Sequence, residues 1–325
     1  MHPRMIDMEH RGHGPVVCSQ ALAIVLVAAI LAPVTAAGAG QFDLEHSIPV
    51  RSYPVRVFYS EKNKKIAHRI AEICEERIPV LAGALGLNAV APFQIQVIPD
   101  LKPYQRRAQN DLPTWGIAFA FMESQVMLVD AKRAASAWNS LEKVIPHELS
   151  HLLLAQRVAP VPMPLWFVEG LAQWQAGQWS VLENWRLMNA VWSGKTPSLG
   201  RIAAAFPAAE MQARDAYRIS YAAFTFRFEN GLEELPQFLS LLAETRSFTD
   251  AFVAQWNESI IEFYVRFHET VQKRYHSRLL IFQTGPLFTI IAVLFLFIFI
   301  RVKLRNRRKL KKMERSELGL SLDDR

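Results

Sequence analysis

Apolar and polar positions alternate with a period of two across Val55–Tyr59 and again across Phe93–Ile98. That spacing sends successive side chains to opposite faces of an extended chain and predicts two strands. Between them, residues 64–85 carry apolar side chains three and four apart, which predicts a helix. Gly116–Phe121 and Gln125–Val129 are short apolar runs on either side of a polar tip, and predict a hairpin-like pair. From about 138 to 276 the pattern becomes helical, punctuated by Asn230-Gly231 and Pro236, with Ser247-Phe248-Thr249-Asp250 as a further helix start. The expected class is α+β: a small mixed α/β lobe over residues 40–137, then a mainly helical lobe over 138–276, together forming one domain.

The two ends have a different character. Residues 16–37 are apolar apart from Ser19, Gln20 and Thr35, follow Arg4 and Arg11, and end in Ala37-Gly38-Ala39. This predicts a signal peptide or an N-terminal anchor over 1–39. Residues 279–300 carry no charge and predict a transmembrane helix that contacts the lipid bilayer. Residues 301–325 hold ten basic and four acidic side chains, six of the seven net positive charges of the chain. The high isoelectric point therefore belongs to the tail and implies no basic groove on the body. No aromatic residue interleaves with these charges, so a nucleic-acid partner is not expected. The order predicts a single-pass protein of the cell membrane, with an extracytoplasmic body, periplasmic or at the cell surface, and a cytoplasmic tail. Of the two cysteines, Cys18 lies in the first apolar segment, and Cys74 is expected as a buried filler without a disulfide partner.

The polar residues that interrupt the apolar pattern carry the chemistry. His147-Glu148-Leu149-Ser150-His151 lies among Leu141, Val144, Ile145, Leu152, Leu153 and Leu154. Imidazoles at i and i+4 share a helix face and can both aim a ring nitrogen at one ion about 2.0–2.1 Å away. Glu148, about 100° round the helix, can flank that ion and take a proton from water. Pro146 places either a helix start or a kink beside the motif. A third ligand must come from elsewhere. Leu154 and Arg157 stand where a metzincin has Gly and His, which excludes that subclass. No other histidine sits in a ligand pattern. Glu169, among Trp166, Phe167, Leu171 and Trp174 after a proline-rich loop, is the better choice, because burying an unpaired carboxylate there is expensive.

These segments resemble the peptidase MA-like group of gluzincin metallopeptidases: the His147–His151 helix, then Trp166-Phe167-Val168-Glu169-Gly170-Leu171-Ala172, then a helix with Ala216-Tyr217. The likeness covers roughly residues 50–275. It implies a zincin-like fold in which His147, His151 and Glu169 hold one zinc ion (Zn2+), Glu148 is the general base, and a peptide or protein is the substrate. It further implies that Tyr217 donates to the oxyanion, with Tyr221, one turn on, as the alternative. Arg218 between them could bind a substrate carboxylate. Gln173 stands where this family often places an acid, and its amide oxygen could accept an imidazole N–H. An edge strand beside the metal would pair with extended peptide, which points to Gly116, Ile117, Ala118 and Phe119. The rival reading is a catalytically silent protein of the same fold that binds or assembles envelope proteins. The intact Glu148 argues against it, since a binding module has no use for a base.

Overall fold

The computed structural model describes residues 44–101, 116–158, 160–207 and 209–320, with side chains at 276–287 and 311–320 left aside. The expected leader over 1–39 lies outside the described residues. Contacts divide the chain into two units, the first formed by residues up to Ser180 together with Pro197–Tyr264, the second by Val181–Thr196 with Val265 onward.

The first unit begins with a sheet. Strands β1 (His46–Pro49), β2 (Val55–Tyr59), β3 (Phe93–Ile98), β4 (Ala118–Phe121) and β5 (Val126–Asp130) lie in the order β1-β2-β3-β5-β4. β2, β3 and β5 run parallel, and the two edge strands are antiparallel to their neighbours. Helix α1 (Lys64–Ala84) makes the crossover from β2 to β3 and packs on β1 and β2. Its apolar face includes Cys74, whose thiol is pushed up by burial and, secondarily, by the charge of Glu75. β4 and β5 form the hairpin, with Gln125 left-handed (φ 52°) at its tip. Alternation along β4 puts Phe119 and Phe121 on one face, where they pack with Ile98, Leu101, Val126 and Leu128.

Helices follow without further strands among the described residues. α2 (Ala131–Ser136) is capped by Asp130, which accepts from Arg133 N. α3 (Leu141–Val158) packs on α1 and runs along β4. It passes through Pro146 and starts five residues before it, so the proline is interior and the helix does not begin there. α4 (Leu165–Gln175), α6 (Leu199–Ala204), α7 (Glu210–Arg227), α8 (Leu235–Thr245) and α9 (Phe248–Trp256) complete the unit, with the start of α10 (Ile260–Leu320). Ser247 caps α9 by accepting from Asp250 N, at the helix start read from the sequence. Trp166 and Phe167 of α4 sit in an aromatic core with Phe224, Phe238, Phe248 and Phe263. Gly170 lets α7 close onto α4: a Cβ there would stand 2.5 Å from Ser220 O and 2.6 Å from Phe224 Cβ.

The second unit contains α5 (Val181–Trp192) and α10 beyond Val265. Leu187, Met188 and Val191 are buried, and Tyr275 donates to Asn184 Oδ1 at 3.1 Å.

Two expectations are corrected. The fold class is mostly helical, at 66%, with a small sheet, in place of an α+β fold carrying a C-terminal membrane helix. The strands are only four to six residues long, whereas α1, α3, α7 and α10 are long. The transmembrane helix at 279–300 is not supported, because among the described residues no helix is long and apolar enough to cross a membrane. The side chains of 279–287 lie outside the description. That finding also overturns the single-pass membrane location.

Candidate metal centre

Three elements meet at the site: α3 brings His147, Glu148 and His151, α4 brings Glu169, and α7 brings Tyr217. One helical turn separates the two imidazoles, whose centroids are 4.8 Å apart and nearly perpendicular. His147 Nε2 lies 3.2 Å from Glu169 Oε2, and His151 Nε2 lies 3.7 Å from the same oxygen. Among the described residues, these three side chains form the group able to hold a metal ion, with ligand atoms all within 4.8 Å of one another.

The donor set suits a divalent metal ion. Ligands about 2.0–2.1 Å from a tetrahedral ion stand about 3.4 Å from each other, close to both oxygen–nitrogen spacings here. Glu169 Oε2 is buried and has no hydrogen-bond partner. An oxygen that faces two imidazole nitrogens at contact distance, without an aligned hydrogen bond to either, is disposed to share a cation with them.

Electrostatics within the cluster are strongly coupled. Burial works against charge on His147, but the Glu169 carboxylate beside it, and then the charge of Glu148, outweigh it and raise its pKa. Burial takes His151 down to about 4, with Glu169 opposing and His147 reinforcing the drop. Burial also disfavours charge on Glu169, yet His151 and His147 together hold that carboxylate below its ordinary value. Glu148 is pushed up to about 7, first by burial; Glu169 adds to the rise, while His147 and the N–H of Ala120 oppose it.

Glu148 accepts a hydrogen bond from Ala120 N at 2.8 Å. The donor is a main-chain group of the edge strand β4, so no side-chain pattern in the sequence pointed to it. Tyr217 packs its ring on His147, with centroids 6.4 Å apart, and on Phe206 at 4.8 Å. Its phenol is pushed up by burial, then by Glu169 and Glu148, and so stays a neutral donor. Tyr221, one turn on, points elsewhere and stacks on Trp179 at 4.2 Å. Arg218 is paired with Asp215 at 2.6 Å. Gln173 is buried and donates to the carbonyls of Glu169 (3.1 Å) and Tyr217 (2.8 Å), tying α4 to α7 through the backbone.

The hairpin residues take several roles. Gly116 O accepts from Arg133 and Ile117 O from Asp130 N, which fixes the entry to β4. The Phe119 ring folds back over Gly116, where an added Cβ would lie 2.3 Å from it, and belongs to the hydrophobic cluster beneath the sheet. Ala118 is buried in β4. A further neighbour was missed in the sequence: Gln178, just past α4, reaches back to donate to Lys143 O at 3.1 Å and lies beside His147.

No protein-family model matches the chain, and no curated protein matches it.

Proposed function

We propose that the protein is a zinc-dependent metallopeptidase of the gluzincin type. The observation that carries this reading is the convergence of His147, His151 and Glu169 on one point, with Glu148 and Tyr217 around it. His147, His151 and Glu169 would hold the ion. When bound, zinc supplies Lewis acidity that polarises a peptide carbonyl and acidifies water. Glu148 takes the proton of the attacking water and passes it to the departing amine. Its burial suits this exchange, because a carboxylate withdrawn from bulk water accepts a proton more readily than an exposed one. The Ala120 N–H keeps the Glu148 carboxylate turned toward the edge strand. Tyr217, neutral and adjacent to both carboxylates, donates to the oxyanion as the carbonyl becomes tetrahedral.

The test is a comparison of the full-length protein with its Glu148→Gln variant. Zinc content and cleavage of a peptide library are measured together. The expected result is one zinc per chain in both and a loss of cleavage by about 10²–10⁴-fold in the variant. Equal cleavage by both proteins would remove Glu148 as the base. Zinc bound without cleavage by either would favour the silent binding protein.

A further inference from the structure

We propose that Gln178 is the positioning residue of His147, accepting the Nδ1 proton with its amide oxygen so that Nε2 stays aimed at the metal. The proposal deepens the zinc reading and rests on it. His147 turns Nε2 toward Glu169, which leaves Nδ1 on the far side of the ring. That Nδ1 is buried and makes no hydrogen bond of its own. An imidazole that gives one nitrogen to a metal carries its proton on the other, and that proton needs an acceptor if the ring is to hold its angle.

The residue four positions after Glu169 does not supply one. Gln173 spends its amide on the carbonyls of Glu169 and Tyr217. Gln178 is placed to serve instead. After α4 ends, Gly177 adopts φ +60° and the chain doubles back, with Gln178 N bonded to Gln173 O at 3.0 Å. The side chain then returns over the first turns of α3. Its Nε2 donates to Lys143 O, one turn ahead of His147. A primary amide has one donor end and one acceptor end. With the donor end committed to Lys143, the acceptor end is left for the ring. A neutral acceptor fits a site that already holds two carboxylates against one cation.

The test measures zinc affinity by competition with a chromophoric chelator, alongside the visible spectrum of the cobalt-loaded protein, for wild type, Gln178→Met, Gln178→Ala and Gln178→Glu. Met keeps the length of the side chain and removes the acceptor; Glu keeps the acceptor and removes the donor to Lys143. Zinc affinity is expected to fall about 10–100-fold in the Met and Ala variants, with an altered cobalt spectrum. Gln178→Glu is expected to bind at least as tightly as wild type, because a carboxylate accepts more strongly. Wild-type affinity in the Met variant overturns the proposal. So does a Glu variant as weak as the Met variant, which would assign the effect to the lost bond with Lys143. If wild type itself binds no zinc, the metal reading fails, and the failure is separate from that of Gln178.

Discussion

On one side of α4, Trp166 and Phe167 lie in a hydrocarbon core of stacked and edge-to-face rings, where the Trp166 indole N–H donates to Tyr264 at 3.0 Å. On the other side, Glu169 and Gln173 meet imidazoles, carbonyls and a phenol. Both sides are buried, but for opposite reasons. The aromatic side gains from leaving water and needs no partner of defined angle. The polar side loses solvation and is tolerable only where each group finds a partner, and Glu169 Oε2 and His147 Nδ1 have none of their own. The comparison teaches that the aromatic face stabilises the helix while the polar face is carried by it. Groups held at such a disadvantage are poised to gain from a ligand.

The widest gap between the two faces should appear in stability. Phe167→Ala empties a fully buried ring site and is expected to lower unfolding free energy by about 3–5 kcal/mol in denaturant titration. Glu169→Gln in metal-free protein at pH 8 is expected to change it by less than about 1.5 kcal/mol, because His147 can shed its proton once its counter-charge is gone. Zinc at about 100 times its Kd should stabilise wild type by about 2.7 kcal/mol and leave Glu169→Gln unchanged. If Glu169→Gln unfolds the metal-free protein as readily as Phe167→Ala, the polar face is structural and the contrast breaks.

Within the polar side, the two tyrosines of α7 provide a finer contrast. Tyr217→Phe is expected to lower kcat by about 10²–10³-fold with zinc affinity retained. Tyr221→Phe, whose ring stacks on Trp179, should leave kcat within about threefold. Reversed effects would transfer the oxyanion role to Tyr221.

These contrasts were unequally legible in the sequence. The imidazole pair was plain because i, i+4 spacing fixes two side chains on one face whatever the rest of the chain does. Glu169 was legible as a polar residue in an apolar run. The spacing of Tyr217 and Tyr221 pointed to one face, yet did not reveal that Trp179 captures one ring while His147 meets the other. Ala120 and Gln178 gave no signal, one acting through a main-chain N–H and the other through a turn made by Gly177. Of the fold, the periods of two marked β2 and β3, where alternation is strong. The balance of classes was misjudged because short strands and long helices leave equally clear patterns per residue. The apolar stretch at 279–300 looked sufficient by length alone.

Gly170 joins the two faces, and its substitution tests whether they are mechanically linked. Gly170→Ala places a methyl group against Ser220 O and Phe224, so α7 must retreat. The expected cost is about 1–3 kcal/mol of stability. Because Tyr217 rides on α7 while the three ligands do not, activity should fall with zinc affinity retained. Equal loss of zinc binding would mean that α7 also braces Glu169, a role open to Gln173 through its two carbonyl bonds.

The smallest effect is a pH dependence of metal-free stability, and its two limbs belong to different histidines. His147 has a raised pKa in the folded protein. The folded state binds its proton more tightly, so its contribution is complete below the unfolded value near 6.5 and is lost as pH rises through the folded pKa. His151 is depressed to about 4, so the unfolded state takes its proton first. Its contribution is complete above about 6.5 and is lost as pH falls from there toward 4. For these two groups the sum has its maximum near pH 6.5, with a decline on the acid side of about 1 kcal/mol by pH 5.5. Stability measured by denaturant titration from pH 5 to 8.5 in the Glu148→Gln background, which removes the opposing titration of a carboxyl raised to about 7, checks the shape, and a further His151→Gln change should flatten the acid limb alone. Zinc would replace the proton on His147, so its apparent affinity should weaken as pH falls through the His147 pKa, with close to one proton released per ion bound at lower pH. A zinc affinity independent of pH over that range would mean that His147 is already neutral, and that Glu169 has no charge to face before the metal arrives.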